Sequence, residues 1–167
     1  MTRHQIKPIG QIKSMGCWAA AFAMMGSWKS NSSQSIENIV RKLGQDYQKA
    51  FESNTGLTAS LFNTAVKSLG LILEQPSNPT KEKWLSLISK SPLLVIVDEN
   101  LSPERKSVHA RIVLQIGNDS ANKVTFNDPA GNDLNGSIEE QSLSDFVQYF
   151  EGLANSEDWL GIQIIHY

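Results

Sequence analysis

From Cys17 to Met25 the chain reads Cys-Trp-Ala-Ala-Ala-Phe-Ala-Met-Met, nine residues with no charge and no polar face. Ala and Met are good helix formers, and a helix that is apolar all round needs protein on every side. The rest of the chain must therefore fold around this segment. Gly26 is expected to stop the helix, and the polar stretch Gln11–Gly16 reads as a loop feeding it, which puts Cys17 at the helix N-terminus. The run is too short to span a bilayer, and no signal peptide or transmembrane helix is visible around Arg3, His4 and Lys7, so no membrane role is expected. The 167 residues, 40% of them apolar, suffice for one globular domain over 1–167 whose core needs no staples.

Two compositional facts narrow the chemistry. Cys17 is the only cysteine, which excludes an intramolecular disulfide, suits a reducing compartment and leaves no paired Cys and His pattern for a metal. Fifteen Lys and Arg against 17 Asp and Glu, with no basic block, argue against nucleic acid as the main partner.

After α-helical Cys17–Met25 and a polar loop over Lys29–Gln34, Ser35 can cap a helix through Ile36, Ile39, Val40 and Leu43, ended by Gly44. Further helices are expected from Thr58 to Gly70 and from the Thr80 cap through Trp84, Leu85 and Ile88, broken before Pro92. From Leu93 the period changes. Leu93–Val97 is a compact β-branched run, and after a polar excursion over Asp98–Ser107 come strands at Val108–Ile116 and Lys123–Asn127, separated by a turn-like segment, Gly117–Asn122. A helix near Leu143–Phe150, capped by Ser142, and a last strand at Leu160–Ile165 complete the pattern. Helices first and strands later indicate an α+β fold in which the helical N-terminal half packs on a mostly antiparallel C-terminal sheet.

A lone cysteine most often acts as a small buried hydrophobe. At a helix start, however, unpaired amides and the positive end of the helix dipole favour a thiolate, the form that acts as a nucleophile. Such a thiolate needs a base. Of the three histidines, His4 and His166 lie near the chain ends, where surface or strand-end roles are expected, whereas His109 opens an apolar strand. If Gly117–Asn122 is an even-length hairpin turn, His109 and Asp128 share a face, because their position numbers add to an odd total; they are then opposed directly or diagonally. Asp128 could fix the imidazole tautomer, while Asn127 has the wrong parity and faces away. Asp128 before Pro129 is also a turn starter, and both roles can hold together. Gln11, six residues before Cys17, could supply a side-chain amide to an oxyanion beside the Cys17 backbone amide.

With these residues in view, the chain resembles the papain-like cysteine peptidases. Gln11, five intervening residues, then Cys17, Trp18 and Ala19 match the family's oxyanion and nucleophile signature, and Cys17, His109 and Asp128 follow its order. The resemblance implies a cysteine peptidase acting on a protein substrate through Cys17, His109 and Asp128, with Gln11 in the oxyanion hole and no cofactor. The compact chain, the Asp in place of Asn and the absence of a propeptide before Gln11 look most like bacterial effector or toxin members, delivered to the cytosol of a target cell or cytoplasmic. A dedicated inhibitor or immunity protein over the cleft is then an expected partner. Pro129 replaces the Trp that often follows the third catalytic residue. Two other readings stay open: a glutamine deamidase or transglutaminase-like acyl transferase using the same groups, and a non-catalytic peptide-binding module of this fold. Trp28, Trp84 and Trp159 are expected to be core or surface aromatics.

Overall fold

The computed structural model describes residues 3–101, 106–117, 120 and 122–167. Parts of the expected polar excursion (102–105) and hairpin turn (118, 119 and 121) lie outside the described residues. The helical half holds α1 (Cys17–Ser30), α2 (Ile36–Leu43), α3 (Gln45–Glu52), α4 (Ala59–Ser68) and, after the short strand β1 (Ile72–Leu73), α5 (Lys81–Ile88). Then come β2 (Leu93–Asp98), β3 (Val108–Ile116), β4 (Lys123–Asp128), a four-residue turn α6 (Gly131–Leu134), β5 (Ser137–Ser142), α7 (Leu143–Glu151) and β6 (Ile164–His166). The six strands form one sheet in the order β1-β6-β2-β3-β4-β5, antiparallel at every pairing. This is the α+β architecture expected of a papain-like fold.

The apolar helix sits where its composition requires. Trp18 to Met25 are all buried, and α1 packs against β3 and α2. Its core takes in Phe22, Met24, Phe62, Ile96, Ile112 and Leu114, while Trp84, Val97, Val113, Phe126, Phe146 and Phe150 form a second core beneath α5 and α7. Alternate residues of β2 and β3 feed the two, so the sheet is buried on both faces. Among the described residues, no helix is long and apolar enough to cross a membrane.

Gly26 does not stop α1. The helix continues to Ser30 and ends at Asn31, which is left-handed with φ 50°. Gly26 instead faces α2, where an added Cβ would lie 3.4 Å from Ile39 Cδ1. The serines that follow bond inward, Ser27 Oγ to the Ala23 carbonyl at 2.7 Å and Ser30 Oγ to that of Gly26 at 2.8 Å, so the last turn carries its own polar groups. The caps at Ser35, Thr80 and Ser142 each accept the backbone N–H three residues on.

The β3–β4 hairpin corrects one step of the sequence argument. Ile116 pairs with Val124 and Gln115 with Thr125, and Gly117 N donates to the Lys123 carbonyl at 2.7 Å, so the turn spans an odd number of residues, 118–122. Taken alone, that register would put His109 and Asp128 on opposite faces. A bulge at Leu114 restores the parity, since Val113 pairs with Phe126 and Ile112 with Asn127. Continuing by one residue places Arg111 across from Asp128 and His109 on the diagonal. The Leu114 carbonyl accepts the His4 N–H at 3.0 Å, which ties the N-terminal segment to β3.

Candidate active site

Three backbone contacts lay the N-terminal segment along the sheet and deliver Gln11 to the cleft. His4 bonds Leu114, the Ile6 carbonyl accepts from Asn127 Nδ2 at 3.2 Å, and Gln11 N donates to the Pro129 carbonyl at 3.0 Å. Asn127 thus points away from His109, as its parity predicts, and its amide also lies against Met24 Sδ. The chain then folds tightly back: Ile12, left-handed at φ 51°, donates to the Leu134 carbonyl, and the Lys13 carbonyl accepts Gly16 N at 3.0 Å. Left-handed backbone is costly for a β-branched residue. The loop is also too tight for a side chain at Gly16, where a Cβ would stand 2.4 Å from the Gln11 carbonyl oxygen. Gly16 is the N-cap of α1, so Cys17 is its first residue, with no side-chain cap ahead of it.

Gln11 is buried, and its Nε2 donates to the Ser14 carbonyl at 2.8 Å. A side-chain amide carries two protons, so one remains for a ligand. Gln11, Cys17 and His109 line one cleft of about 660 Å³, together with Met15, Leu57, Leu134 and Trp159 among others. Trp159 packs on the core, its ring centre 5.6 Å from that of Phe62, and also lines this cleft; Trp84 is core and Trp28 stacks on Tyr167.

His109, the second residue of β3, is 5% exposed. Its Nε2 lies 2.8 Å from Asp128 Oδ1, and Cys17, which lines the same cleft, is close enough to act on its ring. Burial alone would lower the imidazolium pKa. The hydrogen bonds to Asp128 and Cys17 and the negative field of Cys17 and Glu99 override it, and His109 is pushed up to about 10. Asp128 is held below the usual carboxylate range: burial opposes this, while the His109 hydrogen bond and charge, the Ala130 amide and Arg111 favour the anion. Ala130 N donates to Asp128 Oδ1 at 2.9 Å, so the Asp-Pro turn and the imidazole partner are one structure. The remaining histidines serve elsewhere: His4 Nε2 lies 2.6 Å from the Ile88 carbonyl, and His166 Nε2 lies 2.9 Å from Glu74 Oε1.

Two residues of the cluster were not anticipated from the sequence. Arg111 lies on the same side of β3 as His109, with Nε 3.3 Å from Asp128 Oδ2 and a terminal nitrogen 3.2 Å from Glu99 Oε1. Glu99 Oε1 is 3.6 Å from His109 Nε2. The one available signal was the charge of Arg111 in an otherwise apolar strand, two residues from His109. Glu99, His109 and Asp128 offer donor atoms within 4.8 Å of one another, a spacing a metal could use. Arg111 lies against both carboxylates and already supplies the positive charge that an ion would bring.

A helix-start cysteine in one cleft with an imidazole, a carboxylate bonded to that imidazole and a buried amide alongside make the arrangement of a thiol acyl-transfer site. A search of curated proteins returns no match to this chain. The sequence model of the papain-like cysteine protease AvrRpt2 matches residues 3–151, which carry all of these groups, and the chain belongs to that family of cysteine proteases.

Proposed function

We propose that this chain is a peptidase in which Cys17 is the nucleophile, His109 the acid and base, Asp128 the group that orients His109, and Gln11 an oxyanion donor. The observation that carries the reading is His109 Nε2 at 2.8 Å from Asp128 Oδ1, with Cys17, the first residue of α1, and Gln11 lining the same cleft as His109. His109 takes the proton of the Cys17 thiol, leaving a thiolate. The thiolate attacks a substrate carbonyl, and the developing oxyanion accepts hydrogen bonds from Gln11 Nε2 and the Cys17 backbone amide. His109 then passes its proton to the leaving amine, giving a thioester on Cys17. Water, deprotonated by His109, hydrolyses the thioester and returns the thiol. Residues 1–167 act as one domain in this reading, supported by β6 lying inside the sheet between β1 and β2.

Incubation of the wild-type chain with a peptide library, read by mass spectrometry, should yield new termini, and Cys17→Ala should yield none. Cleavage by Cys17→Ala at the wild-type rate would overturn the mechanism. A gain of about one mass unit per site without fragmentation would point instead to deamidation, which shares the acyl-enzyme chemistry. We further infer that the enzyme works as a delivered effector or toxin in a reducing cytosol, restrained by an inhibitor seated on the cleft. The single, unpaired cysteine supports that setting.

A further inference from the structure

We propose that Arg111 and Glu99 form a charged brace that holds Asp128 in place and tunes how firmly His109 keeps its proton. The proposal rests on the catalytic reading above and extends it to two positioning residues. Arg111 is fixed on three sides. Its guanidinium lies 4.8 Å from the centre of the Phe126 ring and 5.3 Å from that of Tyr149; Nη2 donates to Glu99 Oε1 at 3.2 Å, and Nε stands 3.3 Å from Asp128 Oδ2 as a charge contact. Asp128 spends Oδ1 on His109 and the Ala130 amide, so Oδ2 depends on Arg111 for its counter-charge. Where an aromatic residue could follow Asp128 and cover the imidazole–carboxylate bond, this chain has Pro129. The Arg111–Glu99 pair stands beside that bond instead.

The charges around His109 come from every neighbouring element. Cys17 belongs to α1, Asp128 to β4 and Arg111 to β3, while Glu99 and Lys106 lie in the segment after β2; Tyr149 of α7 faces Arg111. Lys106 is committed to Asp98 at 3.2 Å, and Asp98 is further held by the Asn100 and Ser107 amides. Among the described residues, Glu99 is thus the acidic neighbour of the imidazole other than Asp128 and Cys17, and Arg111 the basic one. Removing either changes the local field with opposite sign. Glu99→Gln removes a negative charge and should loosen the proton on His109; Arg111→Met removes a positive charge and should tighten it. A merely structural role would not produce shifts of opposite direction.

The test is a 13C-histidine NMR titration of His109 in the reduced wild-type chain and in Glu99→Gln, Arg111→Met and Arg111→Lys. At these separations each charge should move the midpoint by about one pH unit. We expect Glu99→Gln to titrate below wild type, Arg111→Met above it, and Arg111→Lys near it. Glu99 is one-third exposed, so Glu99→Gln stays informative if Arg111→Met does not fold. Shifts of the same sign, or an unmoved midpoint in Glu99→Gln, would overturn the brace. If wild-type His109 itself titrates near 6.5 and Cys17 resists a thiol reagent at neutral pH, the catalytic reading fails rather than the brace alone.

Discussion

Replacing Asp128 by Ala and by Asn separates what its charge does from what its shape does. Alanine leaves His109 Nε2 without its 2.8 Å acceptor and removes the Oδ2 counter-charge 3.3 Å from Arg111 Nε. Hydrogen bonds to charged groups contribute about 1.5–3 kcal/mol, and breaking a buried ion pair costs about 3–5 kcal/mol. Arg111 keeps Glu99, so a total near 3 kcal/mol is expected. Asparagine retains an oxygen for His109 and for the Ala130 amide, but turns an NH2 toward Arg111 Nε; about 1–2 kcal/mol is expected. An imidazolium donates from both nitrogens, so an amide oxygen still orients it, and Asn should keep reactivity within about tenfold while Ala loses about 100-fold or more.

The penalty also has a defined pH window. His109 titrates near 10 when folded and near 6.5 when unfolded, so its contribution is full below about 6.5 and is lost as pH rises toward 10. Asp128 has a lowered folded pKa, so its contribution is full above its unfolded value of about 3.8 and is lost as pH falls further. Urea unfolding of wild type and Asp128→Ala should therefore differ most at pH 5–6.5 and by less toward pH 10, where the Arg111 and Ala130 contacts of Asp128 remain. A difference that is absent at pH 6, or that grows toward pH 10, would refute the reasoning.

Two substitutions probe the loop before the nucleophile. Gln11→Ala should lower peptide turnover by about 100-fold or more while leaving the alkylation rate of Cys17 nearly unchanged, because alkylation passes through no oxyanion. Turnover within a fewfold of wild type would exclude Gln11 as a donor. Gly16→Ala places a methyl 2.4 Å from the Gln11 carbonyl, so it should displace the Gln11 loop and reduce turnover with far-UV circular dichroism preserved; an active variant would show that the loop can open at no cost.

The sequence was most legible where local chemistry and burial agree. The apolar run at Trp18–Met25 could only be interior, and serine and threonine caps located the starts of α2, α5 and α7 because a side-chain oxygen at a helix start has a local partner. Elements defined by distant partners escaped. β5 reads Ser-Ile-Glu-Glu-Gln-Ser and is a strand only through its ladder with β4; β1 is two residues held by β6, and the final strand lies at 164–166 rather than 160–165. α3 begins immediately after Gly44, so one glycine both ends α2 and opens the next helix.

At the site, Cys17, His109, Asp128 and Gln11 were all named from residue type, order and spacing; Gln11, Cys17 and His109 line one cleft, and Asp128 is buried against His109. The parity argument for His109 and Asp128 reached the right face through the wrong turn length, because a bulge inside an apolar strand leaves no local signature at Leu114. Arg111 and Glu99 were missed for a similar reason: their importance lies in what the bulged register sets beside them.

The central claim, that His109 activates Cys17, is tested most directly by the rate of Cys17 alkylation with iodoacetamide across pH 4–10 in wild type and His109→Ala. The account predicts that wild type reacts at pH 5.5 at least about tenfold faster than a free cysteine, whose thiolate is scarce below about pH 8.5, and that His109→Ala loses this advantage. A wild-type profile that tracks free cysteine and is unchanged in His109→Ala would contradict it.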